Sequence, residues 1–352
     1  MLTGTQYADT LTGTEGHDTI TGAGGNDTLS GAGGDDLFLF GTGATGLDAV
    51  DGGAGTNDRI VATENAASIG FAALSGIEVI DAAGFSGLKL LGTSLADTLD
   101  FSATTLNGVT VIDSGAGNEP IIGSAGADRI LAGAGNDLVI GGAVDDTVLV
   151  GTKAGSDDYQ GGSGTDRVLA TAANVALTVT GTTLSEIEEV SSGGYAGFTL
   201  VGSKAADALD FSAITLSGVT LINGGAGNDT ITGTTGADSI EGNSGRDLLT
   251  GGGGADAFVF AATAHSNGTT IDRITDFTRG SDLIDLSRID ANTGVAGDQA
   301  FAFIGTAGEL RTDTTTLAGT TRILVDLDGN KTVDIEIQLT GSLGLSAADF
   351  WR

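Results

Sequence analysis

Single apolar residues recur nine positions apart along much of this chain. Leu11, Ile20, Leu29 and Phe38 stand at that spacing, and Ile231, Ile240, Leu249 and Phe258 repeat it. Polar residues flank each one. Each apolar side chain therefore faces a core from a three-residue strand, while its neighbours face outward. A nine-residue period this regular predicts a solenoid rather than a globular enzyme core. Six residues of each unit form a loop and three form the strand, so nine residues make half a turn. Loops 18 residues apart then stack on one edge, placing Asp9 over Asp27 and Asp18 over Asp36.

Between the nine-residue arrays lie two longer connectors, which match each other. The run Leu90–Ser102 (LLGTSLADTLDFS) corresponds to Leu200–Ser212 (LVGSKAADALDFS), and Asn107–Asp113 corresponds to Ser217–Asn223. The first connector holds β-rich runs at Ile77–Ile80, Leu88–Leu91, Thr98–Phe101 and Val109–Ile112, separated by turn residues. These runs read as wider turns of the same solenoid. The expected organisation is a first array over 1–59, a connector over 60–112, a second array over 113–167, a connector over 168–222, a third array over 223–260 and a tail over 261–352. In the tail glycine thins and charged residues rise, as expected of a region that covers the last open edge of a solenoid.

Each loop of the arrays carries one acid at a fixed place. Asp9, Asp18, Asp27 and Asp36 form the first set; Glu119, Asp128, Asp137 and Asp146 the second; Asp229, Asp238, Asp247 and Asp256 the third. Successive sets lie 110 residues apart. The best copy of the repeat is Gly224-Gly225-Ala226-Gly227-Asn228-Asp229-Thr230-Ile231. Glycines at its first, second and fourth places are expected to take positive φ and to let backbone carbonyls turn inward. Stacked carboxylates about 5 Å apart repel by about 3 kcal/mol at an effective dielectric near 20, so the ladder needs cations. Ca²⁺ fits: it takes six to eight oxygens and accepts mixed carbonyl and carboxylate ligands, whereas Mg²⁺ demands strict octahedra. Zn²⁺ wants His or Cys. The chain has no cysteine and two histidines, His17 and His265, each expected to be solvated.

Composition supports this reading. The 352 residues include 61 glycines and one proline, and the net charge is −32. Of the 46 acids 36 are Asp, the shorter carboxylate suited to turns. The acidity argues against nucleic acid and anionic membrane as partners. No apolar run of about 18 residues exists to span a bilayer, and no N-terminal signal peptide is visible. Neither H-E-x-x-H nor G-x-S-x-G occurs, and no enzymatic activity is expected.

These repeats resemble the RTX family, the nonapeptide calcium-binding repeats of bacterial proteins exported by type I secretion. The resemblance covers essentially the whole chain. Within the tail, Asp272–Phe277, Gly280–Asn292, Gly297–Gly305 and the ending Leu339–Phe350 resemble the C-terminal region of serralysin-type metalloproteases. The resemblance implies an all-β, right-handed parallel β-roll or β-helix solenoid with a β-rich C-terminal cap. It implies several Ca²⁺ ions, about two per array, and an uncleaved export signal in the tail. The type I secretion machinery would be a partner, and the location extracellular or on the surface of a Gram-negative bacterium. The candidate metal-binding residues are Asp9, Asp18, Gly22, Gly24, Asp27, Gly31, Gly33 and Asp36 in the first array. In the second they are Asp128, Gly133, Gly135, Asp137 and Asp146. In the third they are Gly224, Gly225, Gly227, Asp229, Asp238, Gly242, Asp247, Gly251, Gly253 and Asp256, with Asp272 beyond it.

Some positions depart from the pattern. Glu119 replaces Asp and precedes Pro120, and Val144 occupies a glycine place. The second array is therefore expected to hold calcium less well. Asp48, Asp58, Asp157, Asp166 and Asp272 look like irregular extra turns. Asp326-Leu327-Asp328-Gly329-Asn330 reads either as a metal loop or as an ordinary hairpin turn, and Lys331 stands where relatives usually have glycine.

Three functions fit. One is a secreted, calcium-dependent structural or adhesive protein of the cell surface or matrix, with a second copy of itself or a surface polysaccharide as partner. Another is the folding and secretion module of a larger secreted hydrolase. The third is a polysaccharide-binding module, weakened by only 14 basic residues and 5% aromatic content.

Overall fold

The computed structural model describes residues 1–41, 43–291, 301 and 309–351. The tail segment Gly297–Gly305 and residue Asn292, singled out in the sequence, lie outside the described residues apart from Phe301, which is buried. The chain forms two compact units. The first comprises Met1–Ala172 with Thr183–Gly193, and the second Ala173–Thr182 with Gly194–Arg352.

Both units are β-solenoids. In the first, Leu2–Thr3, Thr19–Thr21, Leu37–Phe40, Arg59–Ala62, Val79–Asp81 and Thr105–Asn107 lie side by side in one sheet. The intervening strands, from Thr10–Thr12 to Glu189–Ser191, build another. A further sheet starts at the edge strand Leu99–Asp100 and runs through Pro120–Ile122, Leu138–Ala143 and Asp158–Ser163. Neighbours in these sheets run parallel, one turn apart in sequence. The connectors belong to them: Ser68–Ser75 pairs with both Asp48–Asp51 and Leu88–Leu91.

The register explains the core. Leu2 pairs with Ile20, Ile20 with Phe38, Phe38 with Ile60 and Ile60 with Ile80. The result is one continuous inward column, and Ile20, Phe38, Ile60 and Ile80 are fully buried. In the second unit Ile222, Ile240, Phe258, Ile284 and Phe350 form the equivalent column. One large apolar residue per short strand suffices because parallel stacking covers each from above and below.

The tail ends the second solenoid differently. Ile335–Thr340 adds in parallel to Asp272–Ile274, and then Thr320–Asp326 and Glu309–Asp313 continue the sheet antiparallel. Phe350–Trp351 adds to Leu283–Asp285 on the other sheet. Phe277 packs against Phe258 with ring centroids 6.3 Å apart. The cap is thus a meander hydrogen-bonded onto the last parallel strands.

Candidate metal centres

The carboxylates of the repeat point inward, into the loops. Asp27, Asp36, Asp137, Asp146, Asp229, Asp247, Asp256 and Asp272 are buried. Each uses Oδ1 to accept the backbone N–H of the acid in the preceding loop on its edge. Asp9 N–H donates to Asp27 Oδ1 at 2.8 Å, Asp18 to Asp36 at 2.7 Å and Asp229 to Asp247 at 2.8 Å. Asp247 donates to Asp272 at 2.8 Å, which places Asp272 in the same column. One carboxylate oxygen therefore splices two loops together.

The second oxygen divides the loops into two kinds. In one kind, the residue four places before the acid is Ser or Thr with an ordinary backbone. Its N–H donates to Oδ2: Thr5 to Asp9, Thr14 to Asp18, Thr93 to Asp97, Ser124 to Asp128, Ser203 to Asp207, Thr234 to Asp238 and Thr278 to Asp282. For Asp9, Asp18, Asp128 and Asp238 the hydroxyl donates as well, at 2.9 Å. In the other kind, the same place is left-handed: Ala23, Ala32, Gly133, Gly142, Gly162, Gly225 and Asn243 have φ between 70° and 117°. The peptide is rotated, and the buried Oδ2 of Asp27, Asp36, Asp137, Asp146, Asp166, Asp229 and Asp247 accepts no hydrogen bond. Asp58 Oδ2, Asp272 Oδ2 and Glu119 Oε1 are equally orphaned.

Buried carboxylate oxygens without partners are costly. Burial pushes Asp247 and Asp256 up to about 6, Asp146 and Glu119 to about 7 and Asp272 to about 9. The surroundings show what they lack. A Cβ placed on Gly31 would fall 2.1 Å from Asp36 Oδ2 and 2.4 Å from the Gly52 carbonyl oxygen. On Gly141 it would fall 2.5 Å from both Asp146 Oδ2 and the Gly161 oxygen; on Gly224 it would meet Asp229 Oδ2 at 2.6 Å and the Gly242 oxygen at 2.8 Å. Carboxylate and carbonyl oxygens thus converge with no donor among them, the oxygen-only set that suits Ca²⁺.

The glycines differ from expectation in one respect. Gly225, Gly227, Gly133 and Gly135 take positive φ, but Gly22, Gly31, Gly224, Gly242 and Gly251 at the first place do not. They are required because Asp Oδ2 occupies the space of a side chain; at Gly22, Gly242 and Gly251 it lies 2.3–2.4 Å from a built Cβ. Gly24, Gly33 and Gly253, at the third place, donate N–H at 3.0 Å to the carbonyls of Thr5, Thr14 and Thr234 one turn earlier.

Several acids that looked irregular in sequence join the columns. Asp36 N–H reaches Asp58 Oδ1 at 2.7 Å, Asp146 N–H reaches Asp166 Oδ1 at 2.7 Å, and Glu119 N–H reaches Asp137 Oδ1 at 2.9 Å. The doublets Gly52-Gly53 and Gly161-Gly162 were the available signal. Pro120 opens its strand, where a missing N–H is tolerated. Val144 takes φ 61° while 49% exposed, so the strain expected there is present. His265 is not solvated: its Nδ1 lies 3.4 Å from Glu241 Oε1, with both side chains largely covered. The acids Asp326, Asp328 and Asp334 come together, but within a turn held by its own hydrogen bonds. Asp326 accepts from Gly329 and Lys331, and Asp334 from Leu327.

The family model for the peptidase M10 serralysin C terminal matches residues 58–351. The chain belongs to the serralysin C-terminal family. The RTX calcium-binding nonapeptide repeat, in four copies, matches residues 3–38 of this serralysin-type chain. It is a secreted calcium-binding β-roll protein, and calcium is the ion its repeats bind. Among solved structures, the AlgE6R2 subunit of the Azotobacter vinelandii mannuronan C5-epimerase is similar at 31% identity. The match covers 43% of this chain and 89% of that one, with a TM-score of 0.34. The AlgE6R3 subunit of the same enzyme is 25% identical over 47% of this chain and 78% of that one, with a TM-score of 0.29. No curated protein matches the chain. Among the described residues, no helix is long and apolar enough to cross a membrane.

Proposed function

We propose that the chain is a calcium-folded structural protein of the cell surface or extracellular matrix, exported unfolded by a type I system. The observation that carries this reading is the set of buried, unpartnered carboxylate oxygens repeated through both solenoids. Asp27, Asp36, Asp137, Asp146, Asp229, Asp247 and Asp272, each with an orphaned oxygen, would hold the ions together with glycine carbonyls, and the buried Asp256 would assist them. Asp58, Asp166 and Glu119 join them on the same orphaned-oxygen criterion. In low calcium the like charges keep the chain open; outside, metal binding becomes folding free energy. The arrays, connectors and cap then form rigid solenoids suited to a scaffold. Electron microscopy of the chain with calcium should show ordered assemblies that disperse in chelator. Isolated particles at every calcium concentration would remove the scaffold role.

A second reading is favoured by the serralysin C-terminal match over 58–351. On it, the chain is the folding and secretion module of a larger secreted hydrolase. Fusing residues 1–352 behind an unrelated passenger domain and following calcium-dependent recovery of the folded fusion outside the cell tests that role. A passenger retained in the cell would count against it.

A further inference from the structure

The Ser/Thr loops occupy a special place in the columns. Following the N–H to carboxylate links, one column begins at Asp9 and leads to Asp27, and another begins at Asp18 and leads to Asp36. Later columns open at Asp128, Asp207 and Asp238, which lead to Asp146, Asp229 and Asp256. The loop of Asp97 stacks beneath that of Glu119, with the Ala116 N–H on the Thr93 carbonyl. All six opening loops carry Ser or Thr four residues before the acid: Thr5, Thr14, Thr93, Ser124, Ser203 and Thr234. The loops that follow them at Asp27, Asp36, Glu119, Asp146 and Asp229 have a left-handed Ala or Gly there instead. The internal openings lie where no acid loop precedes them. Leu99–Asp100 and Ala208–Asp210, which follow Asp97 and Asp207, are edge strands of their sheets. The strands Arg129–Leu131 and Ser239–Glu241, which follow Asp128 and Asp238, neighbour connector strands Val109–Asp113 and Val219–Asn223.

The chemistry of the two loop kinds is opposed. At Asp18 an N–H at 2.7 Å and an O–H at 2.9 Å both point at Oδ2. Their positive ends stand where a cation would have to approach, and they satisfy the oxygen without one. At Asp36, one turn on, Ala32 at φ 73° turns its N–H away and Oδ2 is left bare. Thr is β-branched and resists the left-handed region; Gly enters it freely and Asn more readily than most residues. The residue at this one position thus selects the peptide orientation.

We propose that Ser or Thr four residues before the acid is a metal-excluding cap that opens each column and, at Thr278, where Asp282 accepts the Asp256 N–H, closes one. Such loops close on their own hydrogen bonds and take no calcium on their acid, and the opening ones present a preformed floor on which the first calcium-binding loop settles. The proposal rests on the calcium reading above and adds which loops are exempt from it.

Native mass spectrometry of the full chain in calcium, with circular dichroism as the check of folding, tests this. Thr234→Gly should uncap Asp238 and raise the number of bound ions by one. Ala32→Thr should cap Asp36 and lower it by one, while Thr234→Ser leaves it unchanged. If Ala32→Thr fails to fold, the Thr234→Gly count still decides. A folded Thr234→Gly chain with an unchanged or lowered count overturns the proposal. An unmodified chain that binds no calcium at all would sink the calcium reading itself, a different and separable failure.

Discussion

The loop Gly31–Asp36 and the connector turn at Phe101–Thr104 change chain direction by different means. In the first, a buried carboxylate fills the turn, one oxygen tied to Asp18 N–H and the other without a donor. In the second, the fully buried Phe101 ring fills it. Thr104 N–H closes back on the Phe101 carbonyl at 2.9 Å, and its hydroxyl donates to the Ile77 carbonyl at 2.9 Å. The second unit repeats the apolar solution at Phe211, with Ile214 N–H on the Phe211 carbonyl at 3.0 Å. A connector turn is complete with the atoms of the chain. An uncapped array turn such as Gly31–Asp36 is complete only with something from solution.

Removing calcium should break this contrast most severely. In chelator the circular dichroism signal of the β-roll should largely collapse, because the array turns on which the connectors stack are then left with bare buried charge. Readdition of calcium should restore it. A spectrum that ignores chelator would mean the arrays are as self-sufficient as the connectors.

The next effect isolates the apolar turns. Phe101→Ala should cost the calcium-loaded protein about 3–5 kcal/mol, the range for deleting a buried phenyl. It should leave the number of bound ions unchanged, whereas Asp36→Ala should remove an ion and the stability that ion supplies. Denaturant unfolding in saturating calcium, paired with an ion count, separates the two. Equal ion loss in both variants would erase the distinction.

Acidity should sharpen it further. Burial raises Asp247 and Asp256 to about 6 and Asp146 and Glu119 to about 7, above the ordinary carboxylate range. Raised acids bind protons more tightly in the folded state, so they favour the metal-free fold at low pH. That contribution is lost as pH rises through 6–7, and for Asp272 through about 9. Calcium must displace the same protons, so its affinity should rise with pH over that window. A calcium titration followed at pH values of about 5.5 and 7.5 should show weaker binding at the lower one. Identical midpoints would mean that these carboxylates are already ionised.

The smallest expected change lies in the second array. Val144 is held at φ 61° on the surface. Val144→Gly should stabilise the chain by about 1 kcal/mol, relief of left-handed strain partly offset by the flexibility of glycine when unfolded. Thermal melting in calcium would register it, and a lower melting temperature would contradict it.

Much of this architecture was legible because it is periodic. Ile20, Phe38 and Asp27 sit at positions that a single spacing locates, and parallel stacking turns that spacing directly into contacts. Asp58 and Asp166 were harder, because their loops depart from the nine-residue count while their carboxylates still reach the column. The caps were invisible for another reason. Thr14 and Thr234 look like any polar turn residue until the peptide orientation at that place is known. His265 was misread because its neighbour, Glu241, comes from a strand of the third array and is brought near only by the fold of the tail. The antiparallel pairing of Thr320–Asp326 with Ile335–Thr340 likewise depends on contacts that no local period announces.

The splice between successive loops is made at several sequence separations. The acid N–H meets the next carboxylate 18 residues on at Asp9, 20 at Asp137, 21 at Asp27, 22 at Asp36, 25 at Asp247 and 26 at Asp256. The bond lengths stay between 2.7 and 3.1 Å throughout. Extra residues therefore bulge from the rim and leave the inward columns in register. A gene encoding such a chain can gain or lose short in-frame segments at the rim without a frameshift in the stacking. Variation in length is thereby uncoupled from variation in the core, and the rim becomes the place where new surface can be tried at little structural risk.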